Sequence, residues 1–279
     1  NGERSQTLLL FAQGFRAPNL DDLTKFREQG GRIQVPSLGL KPERSHTLEA
    51  SYTYAKEGLR AGLTLYHTWL NNAIVRRDGT LPDGSAFLVS RGDTLFAQTN
   101  VNAESARVYG ADLSVSWRFS STWTLRTEAH YLRGRRRQLA PDGAVLTLPQ
   151  DHIPPPYGRT SLTYDRGPWT VDLTARYQLA KAREDYAVNT ISGTATSGYV
   201  FDRTGTSDNL EMTPFLAGED RFTGTYGWWI LNVRAEYQTE GPWAFRVKVD
   251  NLLDRHYRTF ASGVSAPGVD VGVGLTYRW

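Results

Sequence analysis

Residues 229–249, WILNVRAEYQTEGPWAFRVKV, carry the strongest structural signal in the chain, because they alternate between apolar and polar side chains on both sides of a tight turn. The apolar set comprises Trp229, Leu231, Val233, Ala235, Tyr237, Trp243, Phe245, Val247 and Val249. Asn232, Arg234, Glu236, Arg246 and Lys248 lie between them. Successive side chains of a strand point to opposite faces, so this pattern predicts an antiparallel hairpin with one apolar and one polar face.

The same alternation recurs along the chain. Clear segments lie near 48–54, 111–119, 123–131, 169–177 and 269–279, and shorter or noisier ones near 59–70 and 158–165. The first segment, near 6–14, has apolar residues on both possible faces. We therefore expect about ten strands in a single domain over 1–279, without a helix of useful length.

The composition excludes several classes of protein. Mean hydropathy is -0.47, and no apolar run approaches the ~18 residues of a membrane-spanning helix, which excludes a helical membrane protein. The chain has no cysteine and therefore no disulfide scaffold or thiolate site. Its net charge of +3 arises from 32 basic and 29 acidic residues, a balance that does not indicate nucleic-acid binding.

Two all-β architectures share this alternation, the soluble sandwich and the transmembrane barrel. The polar face here carries full charges and glycines in mid-strand, as a water-filled lumen permits. The apolar face begins or ends in Trp or Tyr in strand after strand, and the 8 Trp, 14 Tyr and 11 Phe suit aromatic belts at both membrane interfaces. We therefore predict an antiparallel up-and-down transmembrane β-barrel whose apolar face meets lipid.

Connection lengths support the barrel independently. Short turns are predicted near 56–58, 120–121, 166–168 and 239–242, and long polar stretches near 15–45, 72–99, 134–157, 180–227 and 252–268 alternate with them. Outer-membrane barrels have short periplasmic turns and longer extracellular loops. Counted back from the last strand, this order places Trp123, Trp169, Trp243 and Trp279 at the periplasmic end.

A series of motifs resembles the C-terminal barrel half of TonB-dependent receptors. Gly14-Phe15-Arg16-Ala17-Pro18-Asn19-Leu20 resembles a short sequence motif, or box, that the family has at the top of a mid-barrel strand. Leu40-Lys41-Pro42-Glu43-Arg44-Ser45 resembles the box that follows one loop later. Two more resemble a strand entry and an Ile-Pro-Pro segment: Asn100 with Gly110-Ala111-Asp112, and Ile153-Pro154-Pro155 with Arg159. The last part of the chain resembles the family's closing signature in Asn251-Leu252-Leu253-Asp254, Tyr257-Arg258, Pro267-Gly268 and the terminal Trp279. Val269 and Gly272 depart from it, since the family usually has Arg and often a polar residue there.

The resemblance implies a transporter and not an enzyme. It implies a barrel of about 22 strands in a Gram-negative outer membrane, with this chain as its C-terminal portion. The plug and the segment that contacts the TonB energy-coupling complex would lie outside residues 1–279. Implied partners are outer-membrane lipid and lipopolysaccharide, the TonB complex, and the barrel assembly machinery through the C-terminal strand.

The implied cargo is a scarce nutrient, above all a ferric siderophore or similar iron complex. Haem-binding members commonly have a His between the first two boxes, and 19–39 contains none, which disfavours haem. No cofactor is implied. The alternatives are an outer-membrane porin or enzyme barrel and a soluble carbohydrate-binding β-sandwich.

Two loop regions are candidate substrate-binding sites. The cations Arg133, Arg135, Arg136 and Arg137 could attract an anionic iron chelate, although such charge runs are more often explained by binding of lipopolysaccharide phosphates or by simple solvation. The loop 180–227 offers the aromatic side chains Tyr186, Tyr199, Phe201, Phe215 and Phe222, which could contact substrate or pack on neighbouring loops.

No catalytic or metal site is evident in the sequence. The 5 histidines are scattered without metal-ligand spacing, and nothing resembles a catalytic triad, a paired-carboxylate motif or a phosphate-binding glycine loop. His130 is expected to face the lumen with Glu128, Arg126, Asp112 and Arg176, where these charges could line a transport path or pair with a plug.

Overall fold

The structure is a computed structural model that describes residues 2–29, 31–139, 144–150, 153–182, 185, 224–260, 262 and 264–279. It contains a short helix, α1 (Leu20–Thr24), and a set of β-strands. The strands are β1 (Arg4–Arg16), β2 (Arg27–Gln29), β3 (Arg32–Val35), β4 (Glu43–Lys56), β5 (Leu59–Asp78), β6 (Phe87–Ser90), β7 (Asp93–Arg118), β8 (Trp123–Leu139), β9 (Val145–Pro149), β10 (Tyr157–Arg166), β11 (Trp169–Gln178), β12 (Lys181–Ala182), β13 (Gly224–Thr225), β14 (Trp228–Gln238), β15 (Trp243–Asp250) and β16 (Asp270–Tyr277). No helix in this part of the chain is long and apolar enough to cross a membrane.

The main sheet is a continuous antiparallel wall. Its ten principal strands pair in the order β1, β4, β5, β7, β8, β10, β11, β14, β15 and β16, so each strand lies beside the next principal strand in sequence. The all-β, up-and-down architecture predicted from the alternation is therefore confirmed. Within the described residues the sheet is not closed, since β1 pairs only with β4 and β16 only with β15.

The register separates the two faces of the wall. One row across the strands is apolar: Trp117, Leu125, Leu162, Leu173, Val233 and Val249. A neighbouring row on the opposite face is polar apart from its last member: Thr124, Thr163, Asp172, Arg234, Lys248 and Gly272. Grooves formed by the sheet are lined mainly by the polar face. We call the apolar side the outward face and the polar side the inward face.

The outward face is not covered by protein. Val247 is 44% exposed and Val273 83% exposed, so these side chains are not packed in a dry core as a β-sandwich would require. Among the described residues, the one cluster of buried apolar side chains is Ile33, Leu95 and Ala97, which lies off the wall. The hydrophobic surface of the wall is thus available to lipid, as in a membrane barrel.

Aromatic pairs mark the short-turn end of the outward face. Ring centroids lie 5.0 Å apart for Trp123 and Tyr164, and 4.7 Å apart for both Trp169 with Tyr237 and Trp243 with Tyr277. Each Trp begins a strand directly after a short turn. These pairs form a belt across neighbouring strands, as expected at a membrane interface.

The turn between β4 and β5 depends on glycine. Gly58 has a φ of +75°, and its carbonyl accepts a hydrogen bond of 2.6 Å from the backbone N–H of Arg118. A Cβ at this position would lie 2.6 Å from the carbonyl oxygen of Arg118. Only a residue without a side chain allows both the left-handed turn and this close approach.

The two faces of β1, which the sequence leaves ambiguous, are resolved by the pairing with β4. Leu9 and Phe11 pair with Ala50 and Leu48 on the outward face. Leu8 and Leu10 lie on the inward face, where Leu10 pairs with Glu49. Both inward leucines are about half exposed, at 51% and 45%.

Three stretches predicted as long loops contain regular structure. β5 and β7 extend beyond the wall to Asp78 and back to Asp93, and β8 continues to Leu139, where it pairs with β9. The region 15–45 contains α1, β2 and β3. The long polar stretches near 15–45, 72–99 and 134–157 therefore contain a helix and paired strands that the period-two alternation did not reveal.

A small sheet stands at the long-loop end of the wall. This rim sheet consists of β2, β3, β6 and residues 93–99 of β7, with β3 parallel and β6 antiparallel to β7. The Ile33, Leu95 and Ala97 cluster is its core, with Val35 and Leu81 packed against it. In the adjoining turn, hydrogen bonds from the backbone and hydroxyl of Ser85 hold the pKa of the Asp83 carboxyl below its usual value.

Candidate functional site: the inward face and its motif junctions

Ion pairs join neighbouring strands across the inward face. Arg159 on β10 donates two hydrogen bonds to Glu128 on β8, at 3.0 Å and 2.9 Å. Arg246 on β15 contacts Glu236 on β14 at 2.7 Å. Paired guanidinium and carboxylate groups in this fork arrangement fix the side chains in position. They keep a charged surface ordered on the side of the sheet that faces away from lipid.

His130 is held by an acid and a ring. Its Nδ1 lies 2.7 Å from Asp112 Oδ1, and its ring stacks on Tyr157 with centroids 4.8 Å apart. The hydroxyl end of Tyr66 lies against Gly110, which precedes Asp112 by two residues. The inward position of His130 beside Asp112 agrees with the register expected from the alternation.

A groove of about 630 Å³ on the inward face is lined by arginines and aspartates. Its lining carries three arginines, Arg159, Arg176 and Arg234, and three carboxylates, Asp172, Asp250 and Asp270, of which Asp250 and Asp270 contact Lys248. Of these arginines, Arg176 and Arg234 have no carboxylate within 4.0 Å among the residues that the structure describes, whereas Arg159 is paired to Glu128. The lining has no net charge, and its two guanidinium groups without a close carboxylate are the part of the groove that can attract an anionic ligand.

The first two family-like motifs meet at one ion-pair network. Arg16 contacts Asp22 at 2.5 Å and Glu43 at 3.1 Å. Glu43 in turn accepts a hydrogen bond of 2.7 Å from the backbone N–H of Ile74. Asn19 caps α1 in a reciprocal capping box with Asp22. Arg16 thus ties β1, α1 and β4 together, while the intervening Ala17 and Pro18 only connect β1 to the helix.

Two asparagines of β7 extend this junction. Asn100 donates to the carbonyl of Asp22 at 2.9 Å and is 7% exposed. Asn102 donates to the carbonyls of Lys41 and Asn72, both at 2.8 Å, and accepts from the backbone N–H of Lys41 at 2.5 Å. Sequence reasoning missed Asn102. Its one signal is a position two residues after Asn100, on the same face of the strand.

The closing signature forms a second junction around Asn251, which is 2% exposed. Its side chain donates to the carbonyls of Arg255 at 2.8 Å and Pro267 at 3.3 Å, and accepts from the N–H of Arg255 at 3.0 Å. Its own N–H donates to Asn232 Oδ1 at 2.8 Å. These bonds fold the connection from β15 to β16 back onto β14.

The other signature residues complete this junction. Asp254 accepts from the N–H of Val269 at 2.9 Å, and a Cβ at Gly268 would lie 2.5 Å from the same carboxylate oxygen. Tyr257 packs on Trp228 with ring centroids 4.5 Å apart, and Arg258 is buried. Leu252, Phe15 and the terminal Trp279 are exposed.

The predicted basic cluster is divided between the two faces. The register of β8 with β7 pairs Arg133 with Tyr109 and Arg135 with Arg107 on the outward face, and Arg137 points the same way. Arg136 lies on the inward face, opposite Ala106. Asp185 contacts Arg133 at 3.2 Å and Arg135 at 3.8 Å. The four arginines therefore do not form one surface.

The predicted aromatic loop residues lie outside the described part of the chain: Tyr186, Tyr199, Phe201, Phe215 and Phe222. The described residues contain no group of three or more His, Asp or Glu side chains placed to hold a metal ion. In the part of the chain that the structure describes, the site is thus a polar inward face with two structural junctions.

Comparisons with known proteins agree with this architecture. Residues 7–252 match the family described as TonB dependent receptor-like, beta-barrel. The chain is 32% identical over 117 residues to the hemoglobin and hemoglobin-haptoglobin-binding protein of Haemophilus ducreyi, which covers 40% of this chain and 12% of that protein.

Solved structures share the fold at low sequence identity. The ferric enterobactin receptor of Pseudomonas aeruginosa has a TM-score of 0.65 at 17% identity, covering 98% of this chain and 38% of its own. The copper transporter OprC gives 0.60 at 17% identity, covering 98% and 37%. The FrpB iron transporter of Neisseria meningitidis gives 0.56 at 16% identity, covering 88% and 32%.

The chain spans well under half the length of these solved relatives, as expected for the C-terminal part of a barrel. Their family consists of transporters and receptors of the Gram-negative outer membrane and not of enzymes. With the family match over most of its length, the outward apolar wall and the inward polar surface, this chain belongs to the TonB-dependent receptor β-barrel family.

Proposed function

We propose that the protein is part of the barrel of an active-transport receptor that imports a ferric siderophore or similar anionic iron complex. The observation that carries this proposal is the inward groove with Arg176 and Arg234, two cations without a carboxylate partner among the described residues. Guanidinium groups that no nearby carboxylate engages can attract a negatively charged chelate and raise its local concentration.

We propose further that import is energised by the TonB system. Family membership supports this, because the family is named for its dependence on TonB. A passive porin would have the same lipid-facing wall. It would require an open lumen and would transport its solute without an energy source. The partners of the whole receptor would also include the barrel assembly machinery, for which the apolar row of β16 and the exposed Trp279 offer a contact surface.

Haem is the alternative cargo, since the relative from Haemophilus ducreyi is named for binding hemoglobin. The present chain lacks histidine at 19–39. On the inward face His130 is engaged by Asp112 and Tyr157. Because haem iron in proteins is commonly held by a His ligand, these features favour an iron chelate over haem.

The test is growth of an iron-starved strain whose only receptor for the supplied iron source is this protein. Ferric catecholates, ferric hydroxamates and hemoglobin are supplied separately, with and without TonB. We expect TonB-dependent growth on an anionic ferric chelate, and about tenfold weaker chelate binding for Arg176→Gln/Arg234→Gln. Equal growth without TonB would identify a porin, and growth on hemoglobin alone would assign the cargo to haem.

The matched control is Arg133→Gln/Arg135→Gln, which removes the same charge from the outward face. This control should bind and import the chelate as the unmodified receptor does. The two double variants therefore separate a lumenal role of positive charge from a general effect of net charge.

A further inference from the structure

The rim sheet ends in a strand edge that is open among the described residues. Its strands lie in the order β2, β3, β7 and β6, which leaves β2 and β6 at the two edges. β6 pairs with β7 on one side, and no residue that the structure describes pairs with its other side. An open edge presents backbone N–H and C=O groups to any extended chain that comes alongside.

The direction of the backbone groups in β6 follows from the bonds that β7 makes. The N–H of Ala97 on β7 donates to the carbonyl of Ala86 at 2.9 Å, one residue before β6 begins. Ladder bonds in an antiparallel pair involve every second residue, so Leu88 faces β7 in the same way. Phe87 and Val89, which alternate with it, direct their backbone groups to the open edge. Donors and acceptors are thus both available there.

The side chains along this edge are apolar and accessible. Phe87, Leu88 and Val89 are 50%, 39% and 62% exposed. Phe87 lies opposite Phe96 in the register, with ring centroids 6.5 Å apart, and Phe96 is itself 55% exposed. A strand added to the edge would contact Phe87 and Val89 with one face and Leu88 with the other. Strand addition would therefore remove this apolar surface from water.

The two edges of the rim sheet differ in charge. β2 is three residues long and carries Arg27 and Glu28, and short charged edge strands resist pairing with other chains. No charged residue lies between Asp83 and Arg91, the stretch that contains β6. The β6 edge thus lacks the protection that natural sheets usually give to an exposed edge.

The chemistry of the edge selects its occupant. Only an extended polypeptide offers backbone donors and acceptors at the spacing of a strand, which excludes acyl chains and sugars. The ion pair beside the exposed aromatic rings, Arg32 with Asp78 at 3.4 Å, is neutral as a whole. A neutral, apolar edge suits a segment without charge, because burying an unpaired charge is costly.

We propose that the β6 edge binds an uncharged, extended polypeptide segment of a protein outside the cell as an additional strand of the rim sheet. The rim lies at the long-loop end of the wall, which faces the outside of the cell in outer-membrane barrels. Backbone hydrogen bonds supply the contact, and the side chains of Phe87, Leu88 and Val89 favour apolar partners. This interaction is separate from the transport of a small iron complex through the lumen.

The first test uses the full-length receptor in detergent micelles. The probe is a fluorescent, uncharged peptide of alternating valine and threonine. The same peptide N-methylated at every residue keeps its side chains but has no backbone donors. We expect the methylated peptide to bind about tenfold more weakly than its parent. Equal binding of the two peptides, or binding of neither, overturns the proposal.

A substitution at Val89 tests the edge itself. Val89→Pro removes a backbone N–H that faces the open edge and keeps the bonds between β6 and β7. Its matched control is Val89→Thr, which keeps the N–H and a β-branched side chain. We expect Val89→Pro to weaken peptide binding about tenfold and Val89→Thr to bind as the unmodified receptor does. Undiminished binding by Val89→Pro contradicts the proposal.

Heat-modifiable migration on detergent gels shows that each variant is folded. If Val89→Pro is not folded, Val89→Lys takes its place, because a lysine on an edge strand opposes pairing without changing the backbone. Val89→Lys should weaken peptide binding in the same way, and undiminished binding by this variant also counts against the proposal.

Amide hydrogen exchange locates the contact. In the receptor alone, the amides of Phe87 and Val89 should exchange faster than that of Leu88, and the peptide should slow them. Protection of Phe87 and Val89 before the peptide is added would show that the receptor's own chain covers the edge. Receptor dimers that disappear in Val89→Pro would assign the edge to a second copy. Either result overturns the proposal.

Discussion

Asn251 combines two features that few residues can supply together. Its φ is +51°, in the left-handed region, and its buried side chain satisfies backbone groups of Arg255 and Pro267. Asparagine tolerates the left-handed conformation better than other residues with a side chain. The motif that resembles the family's closing signature is therefore explained by local geometry.

Replacing Asn251 separates the two contributions. Asn251→Gly keeps the backbone conformation but loses the side-chain hydrogen bonds, while Asn251→Ala loses both. We expect stability to fall in the order unmodified, Asn251→Gly, Asn251→Ala, with the alanine variant destabilised by about 2–4 kcal/mol. The temperature at which the folded band disappears on unboiled detergent gels measures this, and an unchanged temperature for Asn251→Ala would contradict it.

Two inward glycines make a matched pair. A Cβ at Gly110 would meet the carbonyl oxygen of Tyr131 and the ring of Tyr66, whereas a Cβ at Gly272 would meet only the flexible chain of Lys248, 2.5 Å away at Cε. We expect Gly110→Ala to be destabilised by at least about 1 kcal/mol more than Gly272→Ala, because only the first displaces backbone. The same gel assay ranks them, and equal losses would show that the strand at Gly110 yields freely.

At the residue scale, the sequence predicted where the motifs lie but not what they contact. Arg16 and Glu43 belong to separate boxes, 27 residues apart, and nothing in the pattern indicates that they form an ion pair. The faces of Arg133 and Arg135 were predictable, since they share the parity of Tyr131. Their contact with Asp185 was not predictable, because Asp185 lies in a connection that is distant from both arginines in sequence.

At the scale of elements, alternation was a reliable guide wherever one face meets lipid. The apolar row through Leu173 is continuous across strands, so a shift by one residue would expose charges to hydrocarbon. In residues 93–99 of β7, Leu95 and Ala97 are buried in the core of the rim sheet, while Phe96 on the opposite face is exposed, so apolar residues lie on both faces and the period-two signal is lost. That is why residues 93–99 resemble a loop in sequence although they form a paired strand.

Adjacent residues of β11 test the assignment of the faces. Leu173→Arg puts a charge on the outward face near the middle of the membrane and should cost about 2–4 kcal/mol, with little folded receptor in the outer membrane. Thr174→Arg puts the same side chain on the inward face and should accumulate normally. The amount of heat-modifiable protein in isolated outer membranes measures both. A reversed order of the two variants would mean that the faces are exchanged.

At the scale of the whole molecule, the described sheet has two unpaired edges, β1 and β16. Inside hydrocarbon every backbone N–H and C=O must be paired, and in water the outward apolar face has no cover. We expect residues 1–279, produced alone, to aggregate in detergent-free buffer. Light scattering or gel filtration after refolding checks this, and a monodisperse, water-soluble monomer with native-like strand content would refute the lipid-facing assignment.

The continuity of β5 and β7 from the wall into the rim sheet has a mechanical consequence. The β5–β7 ladder runs from Leu59 with Trp117 up to Asp78 with Gln98, interrupted only by a bulge near Ala73. A force applied to the rim along these strands loads many hydrogen bonds together in shear, so they share the load instead of unzipping one after another.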